Sequence, residues 1–237
     1  MWTDASLVAY VKADLGRRGI GAMKSVTVSG LNAGVGGTSE GIWVAGGVTN
    51  YPSRDGEQIE LVSSSAQDDG TAAGTTGAWT VRIEYIVAPT YDLRAETITM
   101  LGLTAAATTA TNICRIVRMY VVTSGTGKQA AGNIDARHST NTPIYERLPA
   151  NGVTSLAARY TIPMGWRGYA WRGRGESKAA ETILYSLADT LDESGLTTSP
   201  KPFPVVAHHS MGLSGGAVAE RDIYRPRRLL VGDDIEI

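Results

Sequence analysis

The residues best suited to chemistry are few, and their spacing works against them. Gly212-Leu213-Ser214-Gly215-Gly216 fits the G-x-S-x-G pattern. In hydrolases that pattern sets a serine on a sharp turn, where an imidazole base and a carboxylate activate it. The partners are missing here. No histidine comes after Ser214, as the α/β-hydrolase order requires, and the earlier His138 lies in no matching motif. Leu213 stands where a trypsin-like serine has an acidic neighbour. A flexible Ser/Gly loop is the better reading. The other histidines are the adjacent pair His208-His209. Neighbours on a strand point to opposite faces, so the pair cannot chelate one ion. Gly125-Thr126-Gly127-Lys128-Gln129 suggests a phosphate loop, but Walker A needs a Gly five residues before the Lys and a Ser or Thr after it. Thr123 and Gln129 occupy those places, so a hairpin turn is expected. The glycines of 34–41 lack the βαβ setting of a dinucleotide site. Asp68-Asp69 and Asp233-Asp234 read as solvated surface. Cys114, the single cysteine, falls in an apolar run and reads as a buried, inert thiol. No catalytic, cofactor-binding or metal-ligating residue is nominated, and the chain is read as a non-enzyme without a cofactor.

One segment points to contact rather than catalysis. In Trp166-Arg167-Gly168-Tyr169-Ala170-Trp171-Arg172-Gly173-Arg174, Arg167, Tyr169, Trp171 and Gly173 share one strand face. Arginine interleaved with aromatics can stack on bases or sugars, and the same residues are enriched in protein interfaces. The formal net charge is -1, so no global field draws in nucleic acid or an anionic membrane. A protein interface is therefore favoured over nucleic acid, while a plain structural strand accounts for the segment equally well. The interface candidates are Trp43, Trp166, Arg167, Tyr169, Trp171 and Arg172.

The elements that would position these residues are short strands. Gly is 28 of 237 residues, about 12% against a usual ~7%, and a long helical bundle tolerates that poorly. Charged residues are 19%, too few and too balanced for a disordered chain. The glycines have no three-residue period, which excludes collagen. Leu7, Val8, Val11 and Leu15 recur at helical spacing, so a short capped helix is predicted over 4–15. A Gly-rich connection spans 30–50. From about 56 the period becomes two. Val81–Val87 and Ala95–Leu101 read as a hairpin, and Ile113–Val122 as a central strand covered on both sides. Shorter strands are expected at 132–136, 143–147, 157–162, 168–171 and 181–187. The tail beyond 199 carries Pro200, Pro202, Pro204 and Pro226 and looks arm-like, with a last strand at 229–231. The expected fold is all-β, a jelly-roll-like β-sandwich or barrel with a short N-terminal helix and extended terminal arms. The expected divisions are 1–55 (helix and Gly-rich arm), 56–198 (β domain) and 199–237 (C-terminal arm). The N-terminus lacks the basic and apolar regions of a signal peptide, and no run approaches the ~18 apolar residues of a membrane span. A soluble chain made in a reducing compartment is expected.

Within this pattern, Glu60–Ser65, Gly77–Ile83, Glu96–Gly102, Arg115–Met119 and Tyr160-Thr161-Ile162-Pro163-Met164-Gly165 occur in order. The block from Glu60 to about Trp171 resembles a group of tailed-phage virion structural proteins. They share polar serines, a small-residue turn, paired strands, an Arg-rich strand and a T-I-P-x-G turn. The resemblance implies a non-enzymatic virion component made in the host cytoplasm. Its first form is a capsid decoration (cement) protein, a homo-oligomer (a trimer) bound to the major capsid protein, with no nucleic acid or membrane partner. The alternative is a tail, fibre or baseplate component bound to tail proteins. A carbohydrate-binding module using Trp166, Tyr169 and Trp171 is a further alternative.

Overall fold

The computed structural model describes residues 29–34, 41–47, 49–140 and 142–164 with their side chains, and beyond them the backbone of seven further strands. The strands are β1 (Ile59–Ser63), β2 (Ala78–Val87), β3 (Asp92–Thr99), β4 (Ala106–Ala107), β5 (Ile113–Ser124), β6 (Ile134–His138), β7 (Ile144–Leu148), β8 (Arg159–Thr161), β9 (Gly168–Tyr169), β10 (Arg172–Glu176), β11 (Glu181–Ala188), β12 (Val205–Leu213), β13 (Val218–Asp222), β14 (Arg228–Leu229) and β15 (Asp234–Glu236). The described residues are all-β and contain no helix. The helix expected over 4–15 lies outside them. Two compact units share the chain. The smaller carries the antiparallel pair β10–β13, and the larger carries β1 to β8.

In the larger unit β2 and β3 form the expected antiparallel hairpin, with Val81 opposite Ile98 and Val87 opposite Asp92. β5 lies on the other side of β2, giving the order β3-β2-β5. Residues 153–155 bond along the far edge of β5, where Val121 N–H donates to the Val153 carbonyl at 2.9 Å and Ser155 N–H to the Met119 carbonyl at 2.8 Å. A second antiparallel sheet has the order β4-β1-β6-β7. The two sheets contribute to one core: Ile59 and Leu61 of β1, Val81, Ile83 and Tyr85 of β2, Ile116 and Met119 of β5, Ile134 of β6 and Leu148 of β7. A third sheet, β12-β11-β15-β8, draws on the C-terminal segment. Beyond 199, where the sequence reads as an arm with one strand, the structure has strands at 205–213, 218–222, 228–229 and 234–236.

β5 departs from strict alternation, and the departure has a physical cause. Alternation places Ile116 with Cys114 and Met119 with Val117. Against β2, however, the register runs Ile113, Arg115, Ile116, Arg118, Met119, Tyr120, Val121, Thr123. Cys114, Val117 and Val122 are extra residues at register shifts, and each one flips the parity of the residues after it. Ile113, Ile116, Met119 and Val121 therefore all reach the shared core. Cys114 turns instead into a small outer cluster with Ile86 and Ala88, against which Tyr91 and Val117 pack.

Candidate functional site

Trp166, Arg167, Trp171 and Ser214 lie outside the described residues. Tyr169 and Arg172 fall in β9 and β10, and His208 and His209 in β12. Cys114 is a buried thiol whose Sγ–H donates to the Ile86 carbonyl at 3.4 Å. Residues 125–128 form a turn, with Lys128 N–H donating to the Gly125 carbonyl at 3.1 Å. The turn is not a hairpin, because β5 and β6, which flank it, belong to different sheets. Trp43 is only 3% exposed within its own chain, so its ring offers little surface to a partner.

His138 sits at the end of β6 between two oxygens. Its Nε2 is 3.6 Å from Glu57 Oε2, and its Nδ1 is 2.9 Å from Thr140 Oγ1. The set of groups has the look of a triad, but the bonding is that of a local turn. Thr140 N–H donates to Nδ1 at 3.2 Å, and the Thr140 hydroxyl donates to the Thr142 carbonyl at 3.2 Å. The hydroxyl has one proton for two acceptors, Nδ1 and the Thr142 carbonyl, and both lie in its own turn. Glu57 also faces Tyr145, and burial together with that carboxylate pushes the Tyr145 phenol well above its ordinary range. Among the described residues no group of three or more His, Cys, Asp or Glu side chains could hold a metal ion.

The strongest polar constellations fasten loops. The first corrects an expectation: Asp68, read as solvated, is 0% exposed. Its Oδ1 accepts from Ala78 N–H at 2.6 Å and from Ala131 N–H at 2.8 Å. Its Oδ2 accepts from the Ser63 hydroxyl at 2.5 Å and from Gly132 N–H at 2.9 Å. A carboxylate has about four acceptor positions, and all are filled. One buried charge therefore joins the end of β1, the start of β2 and the loop before β6. Glycine makes the approach feasible at two places. A Cβ at Gly77 would strike Asp68 Oδ1, and one at Gly132 would lie 2.7 Å from both Ser64 Oγ and Ser65 N. Asp69, its neighbour, is half-buried rather than fully solvated. Its carboxylate accepts from Thr71 N–H at 2.7 Å and from the Thr71 hydroxyl at 2.6 Å, which holds it below the usual carboxylate range.

The second constellation centres on Arg159 of β8, 5% exposed. Its Nη2 donates to Glu146 Oε2 at 2.9 Å and also to the Tyr145 carbonyl. Its Nη1 donates to the Asn50 carbonyl at 3.1 Å. The same guanidinium lies 5.1 Å from the centre of the Tyr51 ring and 5.9 Å from that of Trp43. Arg115 lies 4.7 Å from the Tyr51 ring, so that ring is in contact range of two guanidiniums. Glu146 is 1% exposed. Burial raises its carboxyl above the usual range, and the Arg159 guanidinium opposes that rise. The cluster ties the Gly-rich 41–51 segment to β7 and β8. Backbone pairing adds to it, with Ala158 N–H donating to the Ile42 carbonyl at 2.9 Å.

Asp68, Glu146, Arg159 and Tyr51 do not stand out in the sequence. Asp68 sits in a stretch of Ser, Gln, Asp and Gly whose composition is that of an exposed loop. Glu146 and Arg159 occupy short strands where a charged residue reads as an outward position. No family model, curated protein or solved structure matches the chain.

Proposed function

We propose that this chain is a structural component of a tailed-phage particle that works by being contacted, and that it performs no chemical step. In this reading it is a capsid decoration protein. Its antiparallel sheets form a jelly-roll-like sandwich outside the shell, its terminal segments clamp neighbours, and its partners are the major capsid protein and further copies of itself, as a trimer. The observation that carries the reading is the use of buried charge. Asp68 and the Arg159–Glu146 pair are spent on fixing loops rather than on facing a cleft. A loop fixed before assembly gives up less conformational entropy when a partner covers it. The resemblance over residues 60–171 supports the same conclusion. Cryo-EM of purified particles containing the chain tests it. Density repeating over the capsomers is expected. Density confined to the tail would replace decoration with a tail, fibre or baseplate role, and absence from the particle would overturn the virion reading.

A further inference from the structure

We propose that β3 is a self-complementary edge through which two copies of this chain join their three-stranded sheets about a two-fold axis. The proposal does not rest on the virion reading. β3 is the outer strand of the order β3-β2-β5. It runs for eight residues, contains no proline, and keeps an unshifted register against β2. Shortness, proline, bulges and charged side chains are the usual devices that blunt an edge; of these β3 has only the charges, Asp92, Arg94 and Glu96. Other edges of the two core sheets are treated differently. The far side of β5 is bonded to residues 153–155, β4 has only two residues, and the Ile144 and Tyr145 carbonyls of β7 accept from Asn50 and Arg159. Among the described residues, none donates a backbone hydrogen bond to the outer edge of 93–97 or accepts one from it.

The ladder fixes which groups face outward. Met100 N–H donates to the Trp79 carbonyl at 2.9 Å, continuing the register in which Thr99 lies opposite Thr80. Bonded and non-bonded pairs alternate along an antiparallel ladder. Ile98, Glu96 and Arg94 therefore direct their backbone groups to β2, and Thr97, Ala95 and Leu93 direct theirs to the open edge. A second copy, inverted about Ala95, meets this edge in phase. Ala95 pairs with its own equivalent, and Leu93 with Thr97 of the other copy. Arg94 and Glu96 then fall on facing non-hydrogen-bonded positions, where cross-strand side chains are closest.

Charge favours that register over its immediate neighbours. Arg94 and Glu96 share one face of β3, since their partners on β2 are Tyr85 and Ile83. Inversion about Ala95 sets each arginine against the other copy's glutamate, twice. Moving the axis by one residue sets Arg94 against Arg94 or Glu96 against Glu96, which like-charge repulsion disfavours. Glu96 Oε2 accepts from Thr109 N–H at 2.9 Å and its Oε1 is buried, so the other copy's Arg94 is the side chain that must reach to it. Arg94 can swing outward: its side chain is 61% exposed, and its contact with Asp92 is a loose 3.8 Å. The same charges turn away a strand of unrelated sequence. A two-fold contact of this kind closes on two copies and is separate from any trimer axis.

Sedimentation of the full chain from micromolar to near-millimolar concentration tests the proposal, with Arg94→Glu, Glu96→Arg and Ala95→Pro as variants. The wild type is expected to dimerise with rising concentration. Each charge variant sets like charges opposite each other twice and weakens the dimer by roughly tenfold or more. Ala95→Pro removes an outward N–H and has the same effect. Mixing Arg94→Glu with Glu96→Arg restores a heterodimer, since one edge then carries two carboxylates and the other two guanidiniums. Arg94 is largely exposed, so Arg94→Glu reads pairing and not folding. A wild type that stays monomeric, an oligomer indifferent to Arg94→Glu and Ala95→Pro, or folded variants that fail to combine on mixing would overturn the proposal.

Discussion

Replacing Arg159 with methionine should destabilise the larger unit in a way that depends on pH. Arg159 holds a buried carboxylate, Glu146, at 2.9 Å, and also caps the Asn50 and Tyr145 carbonyls. Removing one member of a buried pair strands the other, at about 3–5 kcal/mol near neutral pH. That is a large share of a stability of roughly 5–15 kcal/mol. Glu146 sets the sign with pH. Burial already raises its folded-state pKa, and Arg159 is the main influence pulling it down. Without Arg159 the native state holds the Glu146 proton more tightly still. An acid whose folded pKa is raised contributes stability that is full below its unfolded pKa, about 4.3, and is lost as pH rises through the folded value. The deficit of Arg159→Met relative to wild type should therefore be smallest toward pH 4, where Glu146 takes up its proton most readily, and should grow toward pH 7. What remains at low pH is the loss at the Asn50 and Tyr145 carbonyls, to which the cost of the stranded carboxylate is added as pH rises. Urea unfolding monitored by tryptophan emission measures this, because Trp43 is buried beside the guanidinium. The double variant Arg159→Met with Glu146→Leu should recover part of the loss, since a buried pair replaced by apolar residues can be close to neutral. A deficit equal at pH 4 and pH 7, together with a double variant as costly as the sum of the singles, would refute the reasoning.

Other buried groups lend themselves to the same treatment. Asp68→Asn keeps the size of the side chain but puts an amide among three backbone N–H donors and a hydroxyl; the urea midpoint should fall by the equivalent of about 2–4 kcal/mol, as buried donors lose their acceptor, whereas Asp69→Asn at the less buried neighbour should move it less. Gly77→Ala should destabilise comparably, because its methyl meets the Asp68 carboxylate, and a neutral outcome would mean that the loop can shift. Cys114, 1% exposed, should resist a thiol reagent in the native protein and react fully in denaturant; rapid native labelling would contradict its burial.

The β2–β3 hairpin is legible in the sequence because its alternation is unbroken and its turn carries Pro89. The inner face of β5 is not. Three extra residues reset the parity of the strand, and nothing in Ile113-Cys114-Arg115-Ile116-Val117-Arg118 distinguishes a bulge from a regular step. Asp68 is hidden for a different reason. Composition marks its loop as polar, but burial is decided by donors at residues 131 and 132, and local pattern carries no information across that distance. Arg159 and Glu146 are similar: each alone is an ordinary strand charge, and only the meeting of β7 with β8 makes them a pair. Trp43 stands out in the sequence as a large ring among glycines, yet the chain covers that ring itself.

The Asp68 site also orders events in time. Two of its donors lie 63 and 64 residues further along the chain, so when β1 and β2 have left the ribosome the carboxylate still lacks two of its four donors. It can be closed only after β5 has been made and the chain has crossed to the other sheet. Loop closure over that span is unfavourable until other contacts support it. The carboxylate therefore acts as a late check on assembly. A chain whose sheets have met in the wrong register cannot bring residues 131 and 132 to Asp68, and is left with a charge that water must reach.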